Sequence, residues 1–154
     1  MGLFKRRKKE PLFMAMSDES NALSLSVKRA RDTASSFRAA FSKPEFKSSM
    51  FLAKSMFEDK NEPGEYAHLW LLVNDVLDDL LFCSVCEAPS GFSGVEEGQS
   101  YVLTDDKIED WMINDDGRLY GGFSIRLQRS LLPEAERGNF DEYVGITDYL
   151  EELP

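Results

Sequence analysis

The spacing of apolar residues changes along the chain, and each change marks a predicted element. Leu23, Val27, Ala30, Ala34, Phe37 and Phe41 recur at intervals of three and four. Such intervals return side chains to one stripe of a helix, with Ser24, Lys28, Arg31, Ser35 and Arg38 on its other side. The pattern predicts one long helix over about residues 19–41. Ser17 or Asp18 is available to cap its start, and Pro44 limits its end. From residue 49 onwards the chain reads as strands: 49–57, 66–73, 80–86 and 100–103. Turn signals separate them at Glu62-Pro63-Gly64-Glu65, at Asn74-Asp75 and across the loop 90–98. Thr104-Asp105-Asp106 reads as a cap leading into a single helical turn.

The stretch IEDWMINDDGRLYGGFSIR, residues 108–126, reads as a β-hairpin. Asp116-Gly117 tolerates the positive φ that a tight hairpin turn requires. Beyond it, Leu119, Gly121, Phe123, Ile125 and Leu127 alternate with Arg118, Tyr120, Gly122, Ser124, Arg126 and Gln128, as a strand with one dry face does. Trp111 and Ile113 join that dry face before the turn. Gly121-Gly122 predicts a bulge or a close backbone approach. Arg126, on the wet face, is placed to pair with Asp110 across the hairpin or to bind an anion.

These elements predict an α+β domain: a long N-terminal helix packed on a curved, mainly antiparallel sheet of about five or six strands. The strands are apolar on both sides, so both sheet faces need covering. The helix covers one. The second cover is the acidic segment 131–154, where Leu131, Leu132, Phe140, Tyr143, Val144, Ile146, Tyr149, Leu150 and Leu153 are interspersed with carboxylates. The organisation is then a basic arm at 1–18, an α+β domain at 19–130 and a packing segment at 131–154.

Charge alters the functional picture. The net charge is −10, yet residues 5–9 hold five of the 18 basic side chains. The other 149 residues carry 13 basic against 28 acidic groups, a net of −15. Such a body repels nucleic acid and attracts a basic protein partner. The arm, with Lys5, Arg6, Arg7, Lys8 and Lys9 beside Leu3 and Phe4, is a candidate contact for an anionic membrane surface. The run LFMAM is too short for a signal-peptide core, and no stretch approaches a membrane span. Two cysteines make no disulfide framework. A cytoplasmic protein, peripheral to the inner membrane if the arm is used, is the expectation.

Candidate chemistry is sparse. His68 is the only histidine, and near Asp110 or Glu65 it would be a general base. Cys83-Ser84-Val85-Cys86 sits inside an apolar strand, where positions three apart face opposite ways, so buried reduced thiols are expected. The carboxylates at 109–110 and 114–116 lack calcium-loop spacing and read as turn and cap residues. No phosphate loop or zinc ligand set is present, and no cofactor or metal is expected.

Three stretches carry a family resemblance: Glu65-Tyr66-Ala67-His68-Leu69-Trp70, Glu87-Ala88-Pro89, and Ile108-Glu109-Asp110-Trp111 followed by Gly117 and Gly121-Gly122-Phe123-Ser124-Ile125-Arg126. Together they resemble the YegJ-like family of small bacterial proteins of unknown function, over roughly residues 25–130. The resemblance implies a compact α+β domain and no activity. Related small domains serve as immunity or toxin-associated proteins, which suggests by analogy an immunity-like role. The expected function is therefore a non-catalytic acidic protein that blocks or carries a basic partner. The rival expectation is a pocket among His68, Trp70, Asp110, Trp111 and Arg126 that binds a small anion or hydrolyses a substrate.

Overall fold

A computed structural model describes residues 17–154, with side chains from residue 21 onwards. Residues 1–16 of the basic arm, and the side chains of Ser17 and Asp18, lie outside the described residues. Helix α1 spans Ser17–Asp32 and α2 spans Ala34–Ala40. The predicted long helix is therefore split at Thr33, whose hydroxyl donates to the carbonyl of Arg29 at 2.7 Å. A hydroxyl that bonds back to the preceding turn competes with the helical ladder and bends it. Ala30, Ala34, Phe37 and Ala40 are fully buried, whereas Leu23 is 50% exposed, so the apolar stripe engages the sheet only after α1 is half complete.

Strands β1 (Met50–Glu58), β2 (Tyr66–Leu77), β3 (Leu80–Val85), β4 (Ser100–Leu103), β5 (Asp110–Asp115), β6 (Arg118–Gly121) and β7 (Asp148–Tyr149) form one open sheet. Their order is β4-β3-β2-β1-β5-β6-β7. All pairs are antiparallel except β6 with β7. The sheet thus has seven strands, more than the predicted five or six. Asn74-Asp75, expected as a corner, is a register shift inside the β2–β3 ladder.

The chain departs most from expectation after residue 121. Strand β6 stops at Gly121, and Phe123–Ser130 is helix α3, not the continuation of a hairpin strand. Gly121 and Gly122 take φ of 71° and 66°, a left-handed pair that turns the chain out of the sheet. Helix α4 (Glu134–Val144) follows.

The strand alternation sorts the core into two layers. Facing α1 and α2 lie Phe51, Ala53, Leu69, Leu71, Leu81, Trp111 and Ile113. On the opposite face Leu52, Trp70, Met112 and Leu119 pack with Ile125 of α3, with Ile146, and with Phe140, Val144 and Tyr149. Trp111 and Leu119, expected on one dry face, are on opposite ones.

Helix α4 is pinned to α3 by a two-pronged ion pair. Arg129 donates to both carboxylate oxygens of Asp141 at 2.7 and 2.9 Å, and the Tyr149 hydroxyl donates to the same carboxylate. These donors, Arg129 foremost, hold Asp141 below the usual carboxylate range. A depressed carboxylate pKa contributes stability above the unfolded value, and loses it as pH falls through the folded value. Asp141→Asn should therefore cost about 1–2 kcal/mol at neutral pH. In urea unfolding the gap to wild type should close below pH about 4.

Candidate functional site

The lysine in the middle of β1 and the first acid of β5 meet under α3. Lys54 stands directly across the ladder from Asp110 on one side and from Trp70 on the other. Asp110 is completely buried. Its Oδ1 accepts from the N–H of Trp111 at 2.8 Å and of Phe123 at 3.0 Å. Its Oδ2 accepts from the Ser124 N–H at 2.8 Å and from the Ser124 hydroxyl. The carboxylate thus caps the first turn of α3 from a neighbouring strand. The first amides of a helix lack internal acceptors, and a negative charge there also complements the helix dipole. Gly122 sits at the N-cap position and has no side chain to do this.

Lys54 completes the cluster. Its Nζ donates to Ser124 Oγ at 2.9 Å and lies 5.5 Å from the centre of the Trp70 ring. Burial pushes the ammonium pKa down, while Asp110 and Glu109 pull it up. Burial pushes the Asp110 carboxyl up, while Lys54, Ser124 and the helix amides pull it down. Each Asp110 oxygen accepts from two donors, which leaves an acid proton no place to bond, so against the upward push of burial the geometry is built around the charged carboxylate.

His68 is placed at the rim, with Nδ1 2.7 Å from Glu109 Oε1. Its ring is about half exposed. No hydrogen bond joins it to Asp110 among the described residues, and Asp110 has its acceptor capacity filled by structural donors. The two candidate catalytic residues are on one side of the sheet without forming an acid–base pair. Trp70 is buried in the second core layer.

Trp111 and Arg126 do come together, along with residues the sequence did not single out. They line a cavity of about 370 Å³ with Arg29, Tyr120, Phe123 and Glu151. The expected Arg126–Asp110 pair across a hairpin is replaced by a different arrangement, because Arg126 lies on α3. Its Nε donates to Gly121 O at 2.7 Å, and its Nη2 donates to Leu119 O at 3.1 Å and to Leu150 O. A larger hollow of about 650 Å³ near Phe41, Lys43, Phe46 and Met50 contains none of the candidates.

Cys83 lies in β3, and Cys86 falls just past the end of that strand. Cys83 is buried, its thiol pushed up to about 12 by burial, whereas Cys86 is exposed rather than buried as expected. Among the described residues no group of acids, histidine and cysteines could hold a metal ion. No described helix is long and apolar enough to cross a membrane.

A family model described as "Uncharacterized protein conserved in bacteria (DUF2314)" matches residues 20–148. The chain belongs to this family. The family match extends past the resemblance at 25–130 and takes in α4, so the segment covering the second sheet face is part of the family unit. The uncharacterised protein YegJ of Escherichia coli is 25% identical over 107 residues, 70% of this chain and 67% of its own. A putative ankyrin repeat protein of Neisseria meningitidis is 34% identical over 98 residues, 62% of this chain. This chain spans only 38% of the length of that relative. No solved structure matches.

Sequence reasoning missed Lys54 and Ser124. A signal was available: a lone lysine in an otherwise apolar strand needs a buried counter-charge.

Proposed function

We propose that the chain is a non-catalytic binding protein whose acidic exterior takes a basic protein partner, in the manner of an immunity protein or an adaptor. The observation that carries this reading is the unequal use of the two charges. Residues 17–154 hold 13 basic and 27 acidic side chains. Many of the basic ones are committed to structure. Arg31 donates to Ile108 O and Arg137 to Leu132 O and Ser130 O. Arg118 and Arg129 are paired with Asp115 and Asp141, and Lys54 is held under α3.

On α4, by contrast, Glu134, Glu136 and Glu142 are exposed, as is Asp148 just beyond it. None of the four has an ion-pair partner among the described residues. Leu131 and Tyr143, each about half exposed, lie within the same stretch. Apolar anchors within a charged rim are what a protein interface needs, and the rim charge speeds and orients encounter. The absorption of Asp110 into a helix cap supports the reading further, since it removes the carboxylate on which a hydrolytic site would depend. The relative named for ankyrin repeats adds support, because such repeats present protein-binding surfaces.

The test is a pull-down from bacterial lysate with the full chain, at about 0.05 M and then about 0.3 M salt, where screening differs strongly. A captured protein of basic isoelectric point, released at the higher salt, is expected. Capture of only neutral or acidic proteins, insensitive to salt, contradicts the proposal.

A further inference from the structure

We infer that the cavity between α1, β6 and α3 is a binding site for a small organic anion with a flat apolar body, and that Glu151 occupies its anion position when no ligand is bound. Three observations carry this, and none depends on the acidic exterior.

The first is the state of Arg126. Three of its N–H groups are fixed by the carbonyls of Gly121, Leu119 and Leu150. Neutral carbonyls orient a guanidinium but leave its charge uncompensated. What remains is Nη1, whose one acceptor among the described residues is Glu151 at 3.4 Å. That distance is too long for a charge-assisted bond, and Glu151 is 81% exposed. A pair so wet contributes little and is readily replaced. Arg126 is therefore a preorganised donor with a loosely held occupant.

The second is a further cation at the same cavity. Burial foremost pushes the Arg126 pKa down, and Arg29 of α1, which lines the cavity too, is near enough to add to it. The Arg29 guanidinium lies 4.7 Å from the centre of the Phe123 ring, and no carboxylate holds it among the described residues. Two guanidinium groups facing one hollow repel each other unless an anion lies between them. The side chains of Tyr120 and Phe123 supply an apolar wall beside this charge.

The third is how the chain crosses the site. Leu150 N–H donates to Leu119 O at 2.9 Å, Leu153 packs on the first core layer, and Lys43 reaches Pro154 O at 2.9 Å. The segment is thus fastened on both sides of Glu151, and Glu151 and Glu152 are held over the cavity as a strap. Its acids stand where a carboxylate or phosphate would bind, so the strap competes with the ligand.

The test is titration calorimetry on the full chain with benzoate, phenyl phosphate and, as the cationic control, benzylamine. The first two separate a carboxylate from a phosphate source. Saturable millimolar binding of at least one anion, and none of benzylamine, is expected. Glu151→Gln should tighten it about threefold to tenfold, and Arg29→Ala, at an exposed position, should weaken it about tenfold. Absence of saturable anion binding in both wild type and Glu151→Gln overturns the inference. So does binding that Arg29→Ala leaves unchanged in a protein with a wild-type melting profile.

Discussion

Gly121→Ala should remove a large share of the native stability. A Cβ built on Gly121 would lie 2.5 Å from Cε3 and Cζ3 of Trp111 and 2.5 Å from the Trp111 carbonyl oxygen. The ring cannot retreat, because it stacks on Phe37 at 4.9 Å and its Nε1 donates to Thr33 at 2.9 Å. The carbonyl cannot retreat either, since it accepts from Gly122 N–H at 2.7 Å. The φ of 71° adds a left-handed penalty of about 1–2 kcal/mol, and overpacking adds about 1–3 kcal/mol. A loss of about 2–5 kcal/mol is a large share of a domain's whole stability. Circular dichroism melts should show a lowered or missing transition. Gly64→Ala serves as a reference, because its Cβ would meet nothing within 4 Å although φ is 91°.

Asp110→Ala should be the other severe loss, and its partner should reveal why. Removing the carboxylate strands three amides and the Ser124 hydroxyl, and takes the nearby negative charge from the buried Lys54 ammonium. Breaking one side of a buried charge pair costs about 3–5 kcal/mol. Lys54→Met alone leaves Asp110 with its amide donors and should cost less. In a double-mutant cycle of Lys54→Met with Asp110→Asn, the pair should show a coupling of about 1–3 kcal/mol by urea unfolding. Additive losses would mean that the two charges do not sense each other through Ser124.

Where the fold was legible in the sequence, it was through local signals. The strands of residues 50–103 follow from short apolar runs bounded by turn residues, and Asp116-Gly117 does make the hairpin turn between β5 and β6. The helix at Phe123–Ser130 was not legible, for a physical reason. The run FSIRLQ alternates apolar and polar residues over a length too short to separate a period of 2 from 3.6. What decides it lies elsewhere: two left-handed glycines that leave the sheet, and an acid 13 residues upstream that caps the new helix. Thr33 is a similar case, since the hydroxyl that breaks the helix also receives the Trp111 indole N–H from a strand 78 residues away.

The candidate site divides along the same line. Trp111 and Arg126 read as chemical residues in the sequence and do share a cavity, but Arg126 reaches it from a helix. Asp110 stood out as an acid beside a tryptophan. Its role as a cap depends on where α3 begins, and that is a tertiary fact. Arg29 gave no sign, being one more charge on the polar side of a helix.

Under the proposed function, charge inside this molecule builds the fold and charge outside it recognises the partner. One comparison tests this most directly: the affinity of the captured basic protein for two variants at fixed salt. Glu134→Gln with Glu136→Gln and Glu142→Gln removes exterior charge from α4. Lys54→Met with Asp110→Asn removes the interior pair, at a temperature where the variant remains folded. About a tenfold or greater loss of affinity is expected for the first and a change within about twofold for the second. Undiminished binding by the α4 variant, with loss of binding in the folded interior variant, would contradict it.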